Sequence, residues 1–100
     1  MTMTDLPTYT GRKTDWSLIP EHMIAGLRRY IEGGIAPGSF LSAVLSNDLR
    51  EAVARADDLN INRLPDYIRF LYNYAPIDCW GSRIKFEKWL SHGGLIYDQP

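Results

Sequence analysis

From Ser17 to Gly34 the chain reads SLIPEHMIAGLRRYIEGG. Its apolar positions Met23, Ile24, Leu27, Tyr30 and Ile31 recur at the spacing that lines one face of a 3.6-residue helix. Pro20 and Glu21 suit the first turn, because proline lacks a donor that would go unpaired there and a carboxylate meets the positive end of the helix dipole. Gly33 and Gly34 supply a left-handed exit. The next pattern, SFLSAVLSNDLREAVARADD, presents Phe40, Leu41, Val44 and Leu45, then Leu49, Ala52, Val53 and Ala56. Ser39 is placed to cap its first part, and Asp48 with Glu51 has the capping-box arrangement. The pattern therefore predicts a short helix, a turn near Asn47 and a second helix to about Asp57. In NINRLPDYIRFLYNYAP the period resumes with Leu64, Tyr67, Ile68, Leu71, Tyr72 and Ala75. Pro65 fits only a first turn, so this helix is predicted to begin near Asn62 and to end before Pro76. SRIKFEKWLSHGG closes the series, with Ser82 as cap, Phe86, Trp89 and Leu90 inward, and Gly93-Gly94 as the stop.

No segment alternates polar and apolar residues long enough to make a strand. The fold class expected is all-α, a compact bundle of four or five short helices. Residues 1–16, MTMTDLPTYTGRKTDW, hold five threonines and no apolar period, and are expected to form a disordered, flexible N-terminal arm. Residues 17–97 form a single helical domain and 98–100 a C-terminal tail, with Leu95 and Tyr97 lying back over the core. A chain of 100 residues builds one core and leaves little room for a deep substrate cleft.

Charge and composition then narrow the function classes. Eleven basic against twelve acidic residues leave no strong summed field to concentrate phosphate, so direct nucleic-acid binding is disfavoured. One cysteine cannot form an internal disulfide, which suits a reducing compartment. No apolar run approaches the ~20 residues of a spanning helix, and no leader pattern follows Met1; a cytoplasmic location with no membrane partner is expected.

The chemistry-bearing residues do not assemble into a catalytic or metal-binding pattern. Cys79, followed by Trp80, is the one candidate nucleophile, but no second cysteine or distant histidine completes a papain-like arrangement. It reads as a packing residue in a corner between helices, where Cys79 and Trp80 together form a plug; truncating Trp80 to alanine costs ~3 to 5 kcal/mol if the ring is buried. One Cys and two isolated His fall short of a zinc set, and Asp57-Asp58 lies where a helix frays. GGIAPG has neither the spacing nor the Lys-Ser/Thr ending of a phosphate loop. Glu51 with Arg55, Asp66 with Arg69 and Arg83 with Glu87 are spaced to pair along helices. No enzyme activity and no cofactor are expected. Helix, turn, helix from Ser39 to Asp57 has the outline of a DNA-binding motif, and a helix-turn-helix regulator is the alternative reading. Its second helix, however, carries Arg50 and Arg55 among Asp48, Glu51, Asp57 and Asp58.

Four elements carry a resemblance. Ile-Pro-x-His-Met begins at Ile19, Gly-Ile-x-Pro-Gly at Gly34, Phe-Leu-x-Ala-Val-Leu-x-Asn-Asp-Leu at Phe40, and Ala-Pro-x-x-Cys-Trp-Gly-Ser at Ala75. Over about Ile19 to Leu95 the chain resembles a group of short proteins encoded by bacteriophages and prophages. The resemblance implies a phage accessory protein in the bacterial host cytoplasm. Such a protein would act by protein-protein binding on a host protein or complex, as an inhibitor of a defence system such as CRISPR-Cas or of another host process. Homodimerisation is compatible with that role. The partner-binding candidates are the adjacent Arg28 and Arg29, and the aromatic residues Tyr30, Tyr74, Trp80 and Tyr97, amphipathic rings of the kind that anchor interfaces.

Overall fold

In the computed structural model, which describes residues 6–95, side-chain caps start the last three α-helices, and left-handed glycines end the first and the last. The fold is all-helical, with five α-helices and no strand among the described residues: α1 (Glu21–Gly33), α2 (Ser39–Leu45), α3 (Leu49–Arg55), α4 (Asp58–Tyr74) and α5 (Arg83–His92). Short 3-10 turns lie at Trp16–Leu18 and Ile77–Cys79. Asp48 caps α3 by accepting from the Glu51 amide, and Ser82 caps α5 by accepting from the Lys85 amide. Asn47 makes the turn between α2 and α3 at φ 59°, a conformation asparagine tolerates better than most residues. Gly38, not Ser39, stands at the cap of α2.

The two Gly-Gly stops do more than end their helices. Gly34 (φ 66°) and Gly94 (φ 72°) pack backbone against backbone. A Cβ on Gly94 would lie 2.5 Å from the Gly34 nitrogen, and one on Gly34 would lie 2.7 Å from the Gly93 carbonyl carbon. Beside this contact the buried Trp89 indole N–H donates to the carbonyls of Tyr30 at 3.0 Å and Ile31 at 3.2 Å. These carbonyls belong to the last turn of α1; that of Tyr30 also accepts from the Gly34 amide at 2.9 Å, so the indole is a second donor there. The ends of α1 and α5 are thereby joined by shape and by hydrogen bonds together.

The core consists of Leu27, Tyr30 and Ile31 from α1, with Phe40, Leu41, Val44 and Leu45 from α2. Ala52 joins it from α3, Tyr67, Phe70 and Leu71 from α4, and Phe86 and Trp89 from α5. Tyr30 stacks on Phe86 with centroids 5.3 Å apart, and Phe40 meets Tyr67 edge-on at 5.2 Å.

Three expectations are corrected. The N-terminal segment is not free throughout: Leu6, Tyr9 and Trp16 pack against the core and make residues 6–16 a strap whose residues 10–13 are exposed. Trp16 is 2% exposed, sits 4.7 Å from Phe70 and donates its indole N–H to the Pro7 carbonyl at 2.9 Å. The Tyr9 hydroxyl donates to Glu32 at 2.6 Å, a carboxylate that Arg28 also holds at 2.9 Å. Two aromatic anchors suffice to dock an extended segment, and a search for helical period does not register them. Second, α4 begins four residues earlier than Asn62. Asp57 caps it by accepting from the Asn60 amide at 2.7 Å, and the buried Asn60 side chain takes the Tyr67 hydroxyl at 2.7 Å. Pro65 therefore lies inside the helix, on its exposed side, and the bond it deletes belongs to the Ile61 carbonyl on that same outer face. Third, Ile68 and Tyr72 of α4 and Leu49 and Val53 of α3 point outward. Six apolar positions on α4 span more arc than one core contact can cover, and the core takes the side of Asn60, Leu64, Tyr67 and Leu71. Tyr97 and the tail 98–100 lie outside the described residues.

Two measurements check this account. Gly94→Ala should destabilise the protein by at least about 2 kcal/mol in urea unfolding. Gly38→Ala, at a glycine with negative φ and nothing within 4 Å of an added Cβ, should change stability by no more than about 0.5 kcal/mol, since alanine's poorer N-cap offsets its lower unfolded-state entropy. The Tyr9–Glu32–Arg28 group predicts a pH dependence. Burial works to raise the Glu32 carboxyl pKa, but the hydrogen bonds from Arg28 and Tyr9 outweigh it and leave the folded value below the ordinary 4.5. Its contribution is thus fully present above pH 4.5 and lost as pH falls through the folded value. Tyr9→Phe should cost about 1 to 2 kcal/mol at neutral pH and make urea stability fall less steeply on acidification below that point.

Candidate interaction surface

The corner APIDCWGS is built around its backbone. Pro76 follows α4, the Ile77–Cys79 turn carries the chain inward, and Ser82 starts α5. The Tyr30 hydroxyl donates to the Cys79 carbonyl at 2.6 Å, and the Gly81 amide donates to the Leu45 carbonyl at 2.9 Å. Cys79 is fully buried, and burial pushes its thiol pKa up to about 12. Thiolate chemistry needs the opposite shift. Cys79, not Trp80, is the plug of this corner; the Trp80 ring is only partly buried, so the full cost of burying it does not apply.

The partner-binding candidates disperse. Tyr30 is 0% exposed, with its ring on Phe86 and its hydroxyl on the corner. It is a core residue and cannot anchor a partner; its place on the inward stripe of α1 outweighs its polar hydroxyl once that group finds an acceptor. Arg28 is held by Glu32, whereas Arg29 is exposed beside it, and the two share a shallow hollow with Ile35. Tyr74 is partly buried against Phe70, with centroids 5.8 Å apart. Trp80 opens onto a different hollow, formed by the strap, the end of α4, the corner and the first turn of α5.

The residues that make this second hollow went largely unmarked in the sequence. Its apolar rim is Tyr72, 79% exposed, and Ile77, 76% exposed. Arg12 enters from the strap and Lys85 from α5. Leading up to it along α4 are Ile61, Pro65 and Ile68, all exposed, spaced by four, three and four residues up to Tyr72. Such spacing forms one stripe about 16 Å long, rotated away from the core stripe of Asn60, Leu64, Tyr67 and Leu71. The signal was present in the text, overlaid on the core period one residue away.

No protein-family model, curated protein or solved structure matches the chain. The surface is therefore read from its own chemistry. Among the described residues no three His, Cys, Asp or Glu side chains gather as a metal site, and no helix is long and apolar enough to cross a membrane. His22 meets Asp57 at 3.6 Å, both exposed, and ties the start of α1 to the start of α4. Glu51–Arg55 and Arg83–Glu87 pair as spaced, at 3.1 and 3.0 Å. Asp66 is held more closely by Arg63, at 2.8 Å, than by Arg69, at 3.7 Å. The turn between α2 and α3 forms as expected, but α3 is two turns long and exposes Leu49 and Val53 alongside Arg50 and the paired Arg55. A cationic face suited to a DNA groove is not what this helix presents.

Buried and with its pKa raised, Cys79 should resist iodoacetamide at neutral pH, and its alkylation should follow the unfolding transition in a urea series. Alkylation that runs to completion in native buffer at the rate of a free thiol would contradict this burial.

Proposed function

We propose that this protein is a non-enzymatic, phage-encoded binding protein that works in the bacterial cytoplasm by occupying a host protein or complex. The resemblance of its four sequence elements to phage and prophage proteins supports the origin. It also suggests the target class, a defence machine such as a CRISPR effector or another host process. The observation that carries the binding role is the exposed apolar stripe of α4, Ile61, Pro65, Ile68 and Tyr72, which runs into the hollow beside Ile77 and Trp80. Contiguous apolar surface left outside the core is characteristic of interfaces.

The test is affinity capture from host lysate with the whole chain. The expected result is a stoichiometric host protein on the wild type, reduced about tenfold or more by Ile68→Glu with Tyr72→Glu, while the variant keeps its helical circular dichroism. An eluate with no stoichiometric protein, a second copy of the chain included, overturns the reading.

A further inference from the structure

The hollow at the corner joins apolar surface to two cations. On the helices Arg28, Arg55, Arg63, Arg69 and Arg83 each lie within 4 Å of a carboxylate, while Arg29 and Arg50 stand exposed. The two cations of the hollow rest on neutral oxygens instead. Arg12 donates to the Asn73 side-chain carbonyl at 3.3 Å, and Lys85 to the Ile77 backbone carbonyl at 3.4 Å. Among the described residues no carboxylate lines this hollow; Asp78 and Glu87 line a neighbouring one that shares Lys85. The same hollow is lined by the exposed Tyr72 and Ile77 and the half-buried Trp80. The site thus offers apolar surface beside two positive charges that meet no carboxylate within 4 Å among the described residues, on a protein whose net charge is -1.

We infer that this hollow is the recognition site for an acidic segment of the partner protein. An apolar side chain of that segment sits on Trp80, Tyr72 and Ile77, and carboxylates next to it meet Arg12 and Lys85. The inference rests on the binding role proposed above and states the chemistry of the bound segment. Two cations are too few to track a nucleic-acid backbone, for which several phosphate contacts are needed on a protein that is not itself acidic. They are well suited to a short peptide, where charge selects the partner and steers its approach while the aromatic seat holds it. The strap is part of the site, because Arg12 is positioned by its bond to Asn73 on α4.

Trp80 supplies the reporter. The indole N–H groups of Trp16 and Trp89 are bonded to backbone carbonyls inside the fold, so the Trp80 indole signal in an N–H correlation NMR spectrum reads the hollow and the other two read folding. The probe is a blocked peptide with a Leu-Phe centre and glutamates on both sides, titrated into the full chain at neutral pH. The expected result is a saturable shift of the Trp80 signal with Trp16 and Trp89 unmoved. The same peptide with glutamine for glutamate should bind about tenfold more weakly, as should the glutamate peptide to Arg12→Glu with Lys85→Glu. Equal binding of the two peptides to the wild type overturns the inference without reference to any variant. So does a Trp80 signal that stays fixed at millimolar peptide, or one that responds more tightly to an oligothymidine of about ten nucleotides, which would make the surface a nucleic-acid site. Lysate capture undiminished by Arg12→Glu with Lys85→Glu leaves the binding role standing and removes this site from it.

Discussion

Everything in this fold is referred to the junction where the ends of α1 and α5 meet backbone to backbone. Gly34 and Gly94 approach more closely than any side chain would allow, and the Trp89 indole enters the same space to satisfy the last carbonyls of α1. With those ends joined, Tyr30 is fixed one turn up α1, its ring against Phe86 of α5 and its hydroxyl on the Cys79 carbonyl. The corner between α4 and α5 is then seated, and Gly81 reaches the end of α2. The contacts run without a break from the glycine pair through Trp89 and Tyr30 to the corner.

The same chain of contacts decides what faces outward. Cys79 goes under the corner, where burial keeps its thiol protonated and inert, and Trp80, the next residue, is left at the rim. On α4 the contacts of Phe70 with Trp16 and of Tyr67 with Phe40 of α2 set the helix rotation. That rotation turns Ile61, Pro65, Ile68 and Tyr72 to solvent. A residue with two reasonable environments on paper receives one of them through a neighbour distant in sequence. The binding surface is therefore a consequence of core geometry, with the strap adding Arg12 at its edge.

A short domain bears out local reasoning where local forces dominate. The helix number, the stops at Gly33-Gly34 and Gly93-Gly94, the caps at Asp48 and Ser82, the turn at Asn47 and the inward stripes of α1, α2 and α5 follow from side-chain spacing and from donors and acceptors within a few residues of one another. Such features are short-range and are written in the order of the residues. The failures share the opposite property. Pro65 lies inside α4 because a cap at Asp57 and a buried Asn60 extend the helix past the point where proline alone would begin it. Tyr30 is buried because a carbonyl forty-nine residues away accepts its hydroxyl. The strap is ordered because Tyr9 and Trp16 find Glu32 and Phe70.

The candidate site divides along the same line. Trp80 stood out in the sequence as part of an unusual Cys-Trp-Gly-Ser corner, and its partial exposure keeps it in the site. Tyr72, Ile77, Arg12 and Lys85 did not stand out, since nothing near any of them in sequence distinguishes a core position from a rim or a matched cation from an unmatched one. By itself the sequence determined the helices, their ends and an inventory lacking a recognisable catalytic or metal motif, because those depend on spacing and local hydrogen bonding. Only the tertiary structure decided which apolar stripe of α4 is buried and which cations lack a carboxylate, because burial and charge matching are set by residues that meet only when the chain has closed on itself.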